Sequence, residues 1–151
     1  MFGYVLAVFC ALLLLGCIYL SFKYRNPYKW IHIVGFPGSG KTTLCVKLTQ
    51  QHLKKGWTVF SNIKIPGAYL IDPNDLGQYY VSRKAIIILD EIGLVWDNRD
   101  FKAFKNHSRN WAKYHRHHQH KVYSFSQSMD YDLKLRSVTD RLYLLVNYFS
   151  C

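Results

Sequence analysis

"GFPGSGKTT" occupies residues 35–43, and its reading decides how the rest of the chain is understood. Its first eight letters satisfy the spacing G-x-x-x-x-G-K-[ST], which has structural meaning only between a buried strand and a helix. "WIHIV" (30–34), just before it, is short, apolar and rich in β-branched residues, as a buried strand requires. "TLCVKLTQQHLKK" (43–55), at its end, reads as a helix, and Gly56 supplies the left-handed cap that stops one.

In that setting each residue type has a task. Gly35, Gly38 and Gly40 allow backbone geometries and close approaches that a Cβ would hinder. With Phe36, Pro37 and Ser39 they form a loop whose amides point inward at phosphate oxygens, helped by the positive end of the helix. Lys41 reaches the β- and γ-phosphates, the Thr42 hydroxyl binds Mg²⁺, and Thr43 contacts the α-phosphate. The cofactors expected are therefore ATP and Mg²⁺.

A second apolar run agrees. "AIIILDE" (85–91) is a continuously hydrophobic strand that ends in two carboxylates, the pattern of a central parallel strand. Asp90 at its tip is expected to hold the Mg²⁺ water shell. Glu91, one residue on, points to the other side and is assigned as general base for an attacking water. The bland alternative is a pair of solvated acids at a strand end. "KVYSFSQSMD" (121–130) supplies another strand, Lys121–Ser126, ending in Gln127. In P-loop ATPases of the additional-strand class, a polar residue in that place senses the γ-phosphate. An ordinary strand-end amide is the alternative.

"WTVFSNI" (57–63) and "LYLLVNYF" (142–149) read as further strands, separated by the turn-rich "IPGAYLIDPNDLGQ" (65–78) and "GLVWDNRD" (93–100). "FKAFKNHSRNWAKYH" (101–115) places Phe101, Phe104, Trp111 and Tyr114 at roughly helical spacing. Five strands with helices between them predict an α/β P-loop NTPase domain of the RecA-like, additional-strand (ASCE) kind over residues 30–151. It would have a parallel sheet with helices on both faces.

Residues 1–22, "MFGYVLAVFCALLLLGCIYLSF", carry no charged side chain and have the length of a transmembrane helix. Tyr4, Tyr19, Tyr24, Tyr28 and Trp30 fall near its two ends, where interfacial aromatics belong. Lys23, Arg25 and Lys29 mark 23–29 as a basic juxtamembrane linker and, by the positive-inside rule, put the remainder in the cytoplasm. The expectation is a single-pass inner-membrane protein with a cytoplasmic ATPase domain. A signal peptide would want a basic start. A lipoprotein box at "LLGC" (14–17) would export the phosphate loop away from ATP.

A formal charge of +11 suits nucleic acid, an anionic membrane face or nucleotide phosphates, and half the residues are apolar, which excludes a disordered chain. Four cysteines show neither metal-knuckle spacing nor a disulfide framework.

"GFPGSGKTT", "VFSNI", "IILDEIGLVWDNRD" and "KYHRHHQHKVYSFSQSMDYDLKLR" together resemble the ATPase domain of Zot-like proteins, the zonula occludens toxin and filamentous-phage assembly ATPases. The resemblance runs from about Trp30 to Leu145. That family is similar to the FtsK/HerA group of DNA-pumping ATPases. It implies an ATPase, oligomeric as a ring, that couples hydrolysis to moving single-stranded DNA or phage coat protein through an assembly site in the host inner membrane. An export channel is a further implied partner. Zot-like chains place the ATPase before a membrane span and an exported segment. Here the span is read first and no exported region is expected, so the toxin activity and the channel contacts are not carried over.

A ring ATPase needs an arginine directed at the neighbouring γ-phosphate. Arg109, Arg116, Arg136 and Arg141 are candidates, with Arg116 and Arg136 preferred. "RNWAKYHRHHQHK" (109–121) interleaves basic and aromatic residues, as a nucleic-acid contact would. Its histidines are irregularly spaced and lack Cys or carboxylate partners for a metal. Two other functions compete with the motor. One is a small P-loop kinase, for which no lid is visible. The other is a non-catalytic ATP-binding membrane scaffold, which would have no need of Glu91.

Overall fold

The computed structural model describes residues 2–78, 81–96, 105–128 and 133–146. Among these residues six strands form one sheet: β1 (Trp30–Gly35), β2 (Thr58–Ser61), β3 (Tyr69–Leu70), β4 (Ala85–Leu89), β5 (Lys121–Ser126) and β6 (Arg141–Leu145). Their order across the sheet is β3-β2-β4-β5-β1-β6, and every neighbouring pair is parallel. Strand β5 thus lies between the strand that leads into the glycine loop and the strand that ends at Asp90.

Alternation along the strands divides the core in two. Ile31 and Ile33 of β1, Ile86 and Ile88 of β4, and Tyr123 and Phe125 of β5 pack on one face with Cys45 and Leu48 of α2 (Lys41–Lys54). Trp30, Ala85, Ile87, Leu89 and Val122 face the other way. They meet Ile92 of α3 (Ile92–Val95), Trp111 and Ala112 of α4 (Asn106–Tyr114), and Leu135 of α5 (Leu133–Val138). Helices therefore cover both faces, as expected. β4 is buried along its whole length, because a parallel strand with helices on both sides has no solvated face.

Helix α2 ends where Gly56 adopts φ 74°. The amide of Gly56 bonds the Leu53 carbonyl at 2.9 Å and that of Trp57 bonds the His52 carbonyl at 3.1 Å. This is a Schellman cap, which turns the chain directly into β2. Several short elements escaped the sequence reading. Tyr69–Leu70 extends the sheet from inside a turn-rich stretch, and one helical turn, α3, follows Glu91. The predicted helical positions Phe101 and Phe104 lie outside the described residues.

The predicted single-pass membrane topology is corrected by the structure: among the described residues, no helix is long and apolar enough to cross a membrane. Helix α1 runs Phe2–Lys23, with its described side chains exposed. Absence of charge established composition, which is a weaker statement than a spanning path.

Candidate active site

The glycine loop closes the carboxyl end of β1. A Cβ on Gly35 would come within 2.5 Å of Ser39 Oγ and 3.1 Å of the Leu145 carbonyl, so any larger residue there would push the Ser39 hydroxyl aside and crowd β6. Gly38 and Gly40 hold φ of 78° and 86°, where a side chain is strained whatever the space. Gly40 is the residue before α2 and brings no side-chain cap. The first amides of the helix, those of Lys41, Thr42 and Thr43, have no intrahelical acceptor. Phe36 at the loop crest is 70% exposed, and Pro37 and Gly38 are exposed beside it.

Lys41 is buried and curls back over the loop, where Nζ donates to the carbonyls of Gly35 at 2.7 Å and Phe36 at 3.0 Å. Ser39 Oγ is buried without a hydrogen-bond partner. Uncapped helix amides, an ammonium among carbonyls and a lone buried hydroxyl suit a ligand rich in anionic oxygens. The residues present therefore fit a nucleotide triphosphate tail.

The second half of the site hangs from β4. Asp90 is 6% exposed and burial raises its pKa, while bonds from the Glu91 amide and the Thr42 hydroxyl pull it back. Those bonds are 3.1 Å to Oδ1 and 3.3 Å to Oδ2. Thr42 and Asp90 thus meet across the gap between α2 and β4. Two adjacent oxygen donors, one anionic and desolvated, suit a hard divalent cation such as Mg²⁺.

Glu91 adopts φ 50° and ψ 44°, a left-handed conformation uncommon for a residue with a Cβ. Strain of this sort costs about 1–3 kcal/mol and persists only where neighbours impose it. Two neighbours hold the groups on either side of that turn. Gln127 Nε2, at the end of β5, donates to Glu91 Oε1 at 2.8 Å. Asn62, at the end of β2, brackets the Asp90 backbone: its Nδ2 donates to the Asp90 carbonyl and its Oδ1 accepts the Asp90 amide, both at 2.7 Å. A cleft of about 130 Å³ opens beside this pair, lined by Glu91, Gly93, Leu94 and Gln127.

Asn62 was not assigned a role in the sequence. Its signal was an amide at the carboxyl end of a strand, which matters only once β2 is known to neighbour β4. The two preferred arginines lie apart from this group. Arg116 pairs with Asp140, whose side chain also accepts the Trp30 amide at 2.8 Å, at the amino end of β1. Arg136 is exposed on α5, and its charge bears on His32. The histidine-rich segment forms α4 and the turn before β5, again at the amino ends of the strands. No group of three metal-ligating side chains occurs among the described residues.

No protein-family model matches the chain, and no curated protein matches it. Among solved structures, the crystal structure of the N-terminal domain of zonular occludens toxin from Neisseria meningitidis is similar, with a TM-score of 0.64. The two share 23% identity over 80% of this chain and 78% of that one. Likeness at that identity shows the fold alone, a P-loop NTPase-like α/β domain built on a parallel sheet.

Proposed function

We propose that the chain is an ATP hydrolase, and that in an oligomeric ring it drives the movement of single-stranded DNA or coat subunits in filamentous-phage-type assembly. The observation that carries the hydrolase reading is the convergence of Thr42 on Asp90 and of Gln127 on Glu91. Four residues from two strand ends and one helix meet in an arrangement that suits phosphoryl transfer to water. The phage-assembly part rests on the sequence resemblance and on the fold shared with the toxin domain.

Loop amides and Lys41 bind and orient the triphosphate, and Lys41 offsets charge that builds on the γ-phosphoryl oxygens. Thr42 and Asp90 would hold Mg²⁺, which neutralises charge on the β- and γ-phosphates when bound. Glu91 accepts a proton as a water oxygen bonds to the γ-phosphorus and the bond to the ADP oxygen breaks. Gln127 orients the Glu91 carboxylate and is placed to sense the phosphate beyond it. Arg116 and Arg136 remain candidates for reaching a neighbouring subunit's nucleotide.

Hydrolysis of ATP by the purified full chain tests this, with and without single-stranded DNA, alongside Lys41→Ala and Glu91→Gln. Turnover is expected to fall at least ~100-fold in Glu91→Gln with nucleotide still bound. Lys41→Ala is expected to lose both binding and turnover. Stimulation by DNA supports the motor reading. Native chain that binds ATP and never turns it over would sink the hydrolase.

A further inference from the structure

Among the described residues, the sheet face turned toward α3, α4 and α5 carries one fully buried polar line. His32, Ser124 and Ser126 sit in it fully buried, at 0%, 1% and 2% exposure. Strand register puts them there, since His32 lies opposite Ser124 and Val34 opposite Ser126. Trp30 Nε1 donates to Ser124 Oγ at 2.8 Å. Ser124 Oγ lies 2.7 Å from His32 Nδ1, and His32 Nε2 lies 2.9 Å from Ser126 Oγ. The Ser126 hydroxyl then donates to the Ser128 carbonyl.

Counting protons fixes the direction of this chain. A hydroxyl has one proton to give, and Ser126 gives its own to Ser128. Ser126 must therefore accept from His32 Nε2–H. His32 Nδ1, left bare, accepts from Ser124, which itself accepts from the indole of Trp30. A single tautomer of neutral histidine satisfies these four contacts together. Burial, with the Arg136 charge adding to it, pushes the His32 pKa down to about 4, so the neutral form prevails at ordinary pH. Polar networks satisfied in this way are rigid, whereas half-satisfied ones are costly.

The far end of the chain falls on either side of one residue. Ser126 precedes Gln127 and Ser128 follows it, and Gln127 is the residue whose amide meets Glu91. We propose that Trp30, Ser124, His32, Ser126 and the Ser128 carbonyl form a positioning relay that clamps the turn after β5 and so presents Gln127 to Glu91. The relay ties the strand that begins the glycine loop to the strand that carries Gln127, through side chains rather than through the ladder. Its consequence for turnover rests on the hydrolase reading above. Its consequence for the placement of Gln127 does not.

Ser126→Ala removes the clamp at the cost of one oxygen, with Ser124→Ala as the second variant should the first fold poorly. In the full chain, kcat for ATP is expected to fall roughly tenfold with KM within about twofold, since a small displacement of an orienting group costs that much or more. Combined with Gln127→Ala, Ser126→Ala should add nothing further, because it acts through Gln127. Full native kcat in Ser126→Ala, or losses that multiply in the double variant, would overturn the relay. A second readout is independent of turnover. The side-chain amide resonances of Gln127 should shift in Ser126→Ala while those of Asn62 stay in place. An unmoved Gln127 signal refutes the relay even in a chain that hydrolyses ATP. A moved signal in a chain without turnover supports the relay and counts against the hydrolase.

Discussion

The two ends of the sheet are built from opposite materials. At the carboxyl ends of β1, β2, β4 and β5 stand an ammonium, two carboxylates, two amides and a hydroxyl, on Lys41, Asp90, Glu91, Asn62, Gln127 and Thr42. At the amino ends stand indoles and neutral imidazoles. Trp30 packs edge-on against Trp111 at 5.7 Å and against His115 at 5.5 Å. Trp111 donates to His120 Nδ1 at 3.1 Å, and burial pushes the His120 pKa to about 4. A larger cleft, about 420 Å³, lies at this second end beside Trp111 and His118. Size therefore does not locate the chemistry. In a parallel sheet the carboxyl ends face loops and helix N-termini, where anions are welcome, while the amino ends are free to be packed shut.

If that division is functional, changes at the packed end should cost stability and spare turnover. Trp111→Ala is the strongest test, since the residue is 4% exposed and anchors both Trp30 and His120. A loss of about 3–5 kcal/mol is expected from urea unfolding. With the Trp30 bond to Ser124 kept, the fraction that stays folded should turn over ATP at the native rate. A specific drop in kcat at full folding would show that the two ends are not separable.

The opposite signature is expected from Asn62→Ala. Its amide satisfies both backbone groups of Asp90, so removing it leaves a buried pair unmet and costs about 1–3 kcal/mol. Asp90 and the strained Glu91 then lose their brace, and turnover should fall at least roughly tenfold at temperatures where the chain is folded. Stability loss without a change in kcat would reduce Asn62 to ladder repair.

Legibility in the sequence followed the same division. The glycine loop, Asp90, Glu91 and Gln127 could be read because local spacing carries their meaning: a motif between strand and helix, and polar residues at the ends of apolar runs. Asn62 could not, because its role depends on β2 lying next to β4, and neighbour order is set by packing over long range. Tyr69–Leu70 was hidden for a related reason, since two residues carry no period and become a strand only by pairing with Phe60 and Ser61. His32, Ser124 and Ser126 looked like ordinary strand positions until register put them side by side. In residues 1–22 the apolar pattern was read as a membrane path, whereas among the described residues no helix is long and apolar enough to cross a membrane.

Arg116 gives the smallest expected effect and the sharpest question. Within one chain it pairs with Asp140 at the packed end, its side chain 49% exposed. An exposed pair of that kind contributes about 0–1 kcal/mol, so Arg116→Ala should barely move the unfolding midpoint. Asp140 keeps its bonds with the first residue of β1, because its side chain accepts the Trp30 amide and its own amide bonds the Trp30 carbonyl. Turnover then separates two roles. An arginine that serves only Asp140 leaves kcat unchanged at every protein concentration. An arginine that reaches a neighbour's nucleotide lowers kcat in the concentration range where chains associate. In that case mixing Arg116→Ala with Lys41→Ala chains should restore part of the activity, since an intact nucleotide loop and an intact arginine can then meet across one interface. Failure of such mixtures to recover any turnover, with association confirmed by sedimentation, would remove Arg116 from the catalytic end altogether.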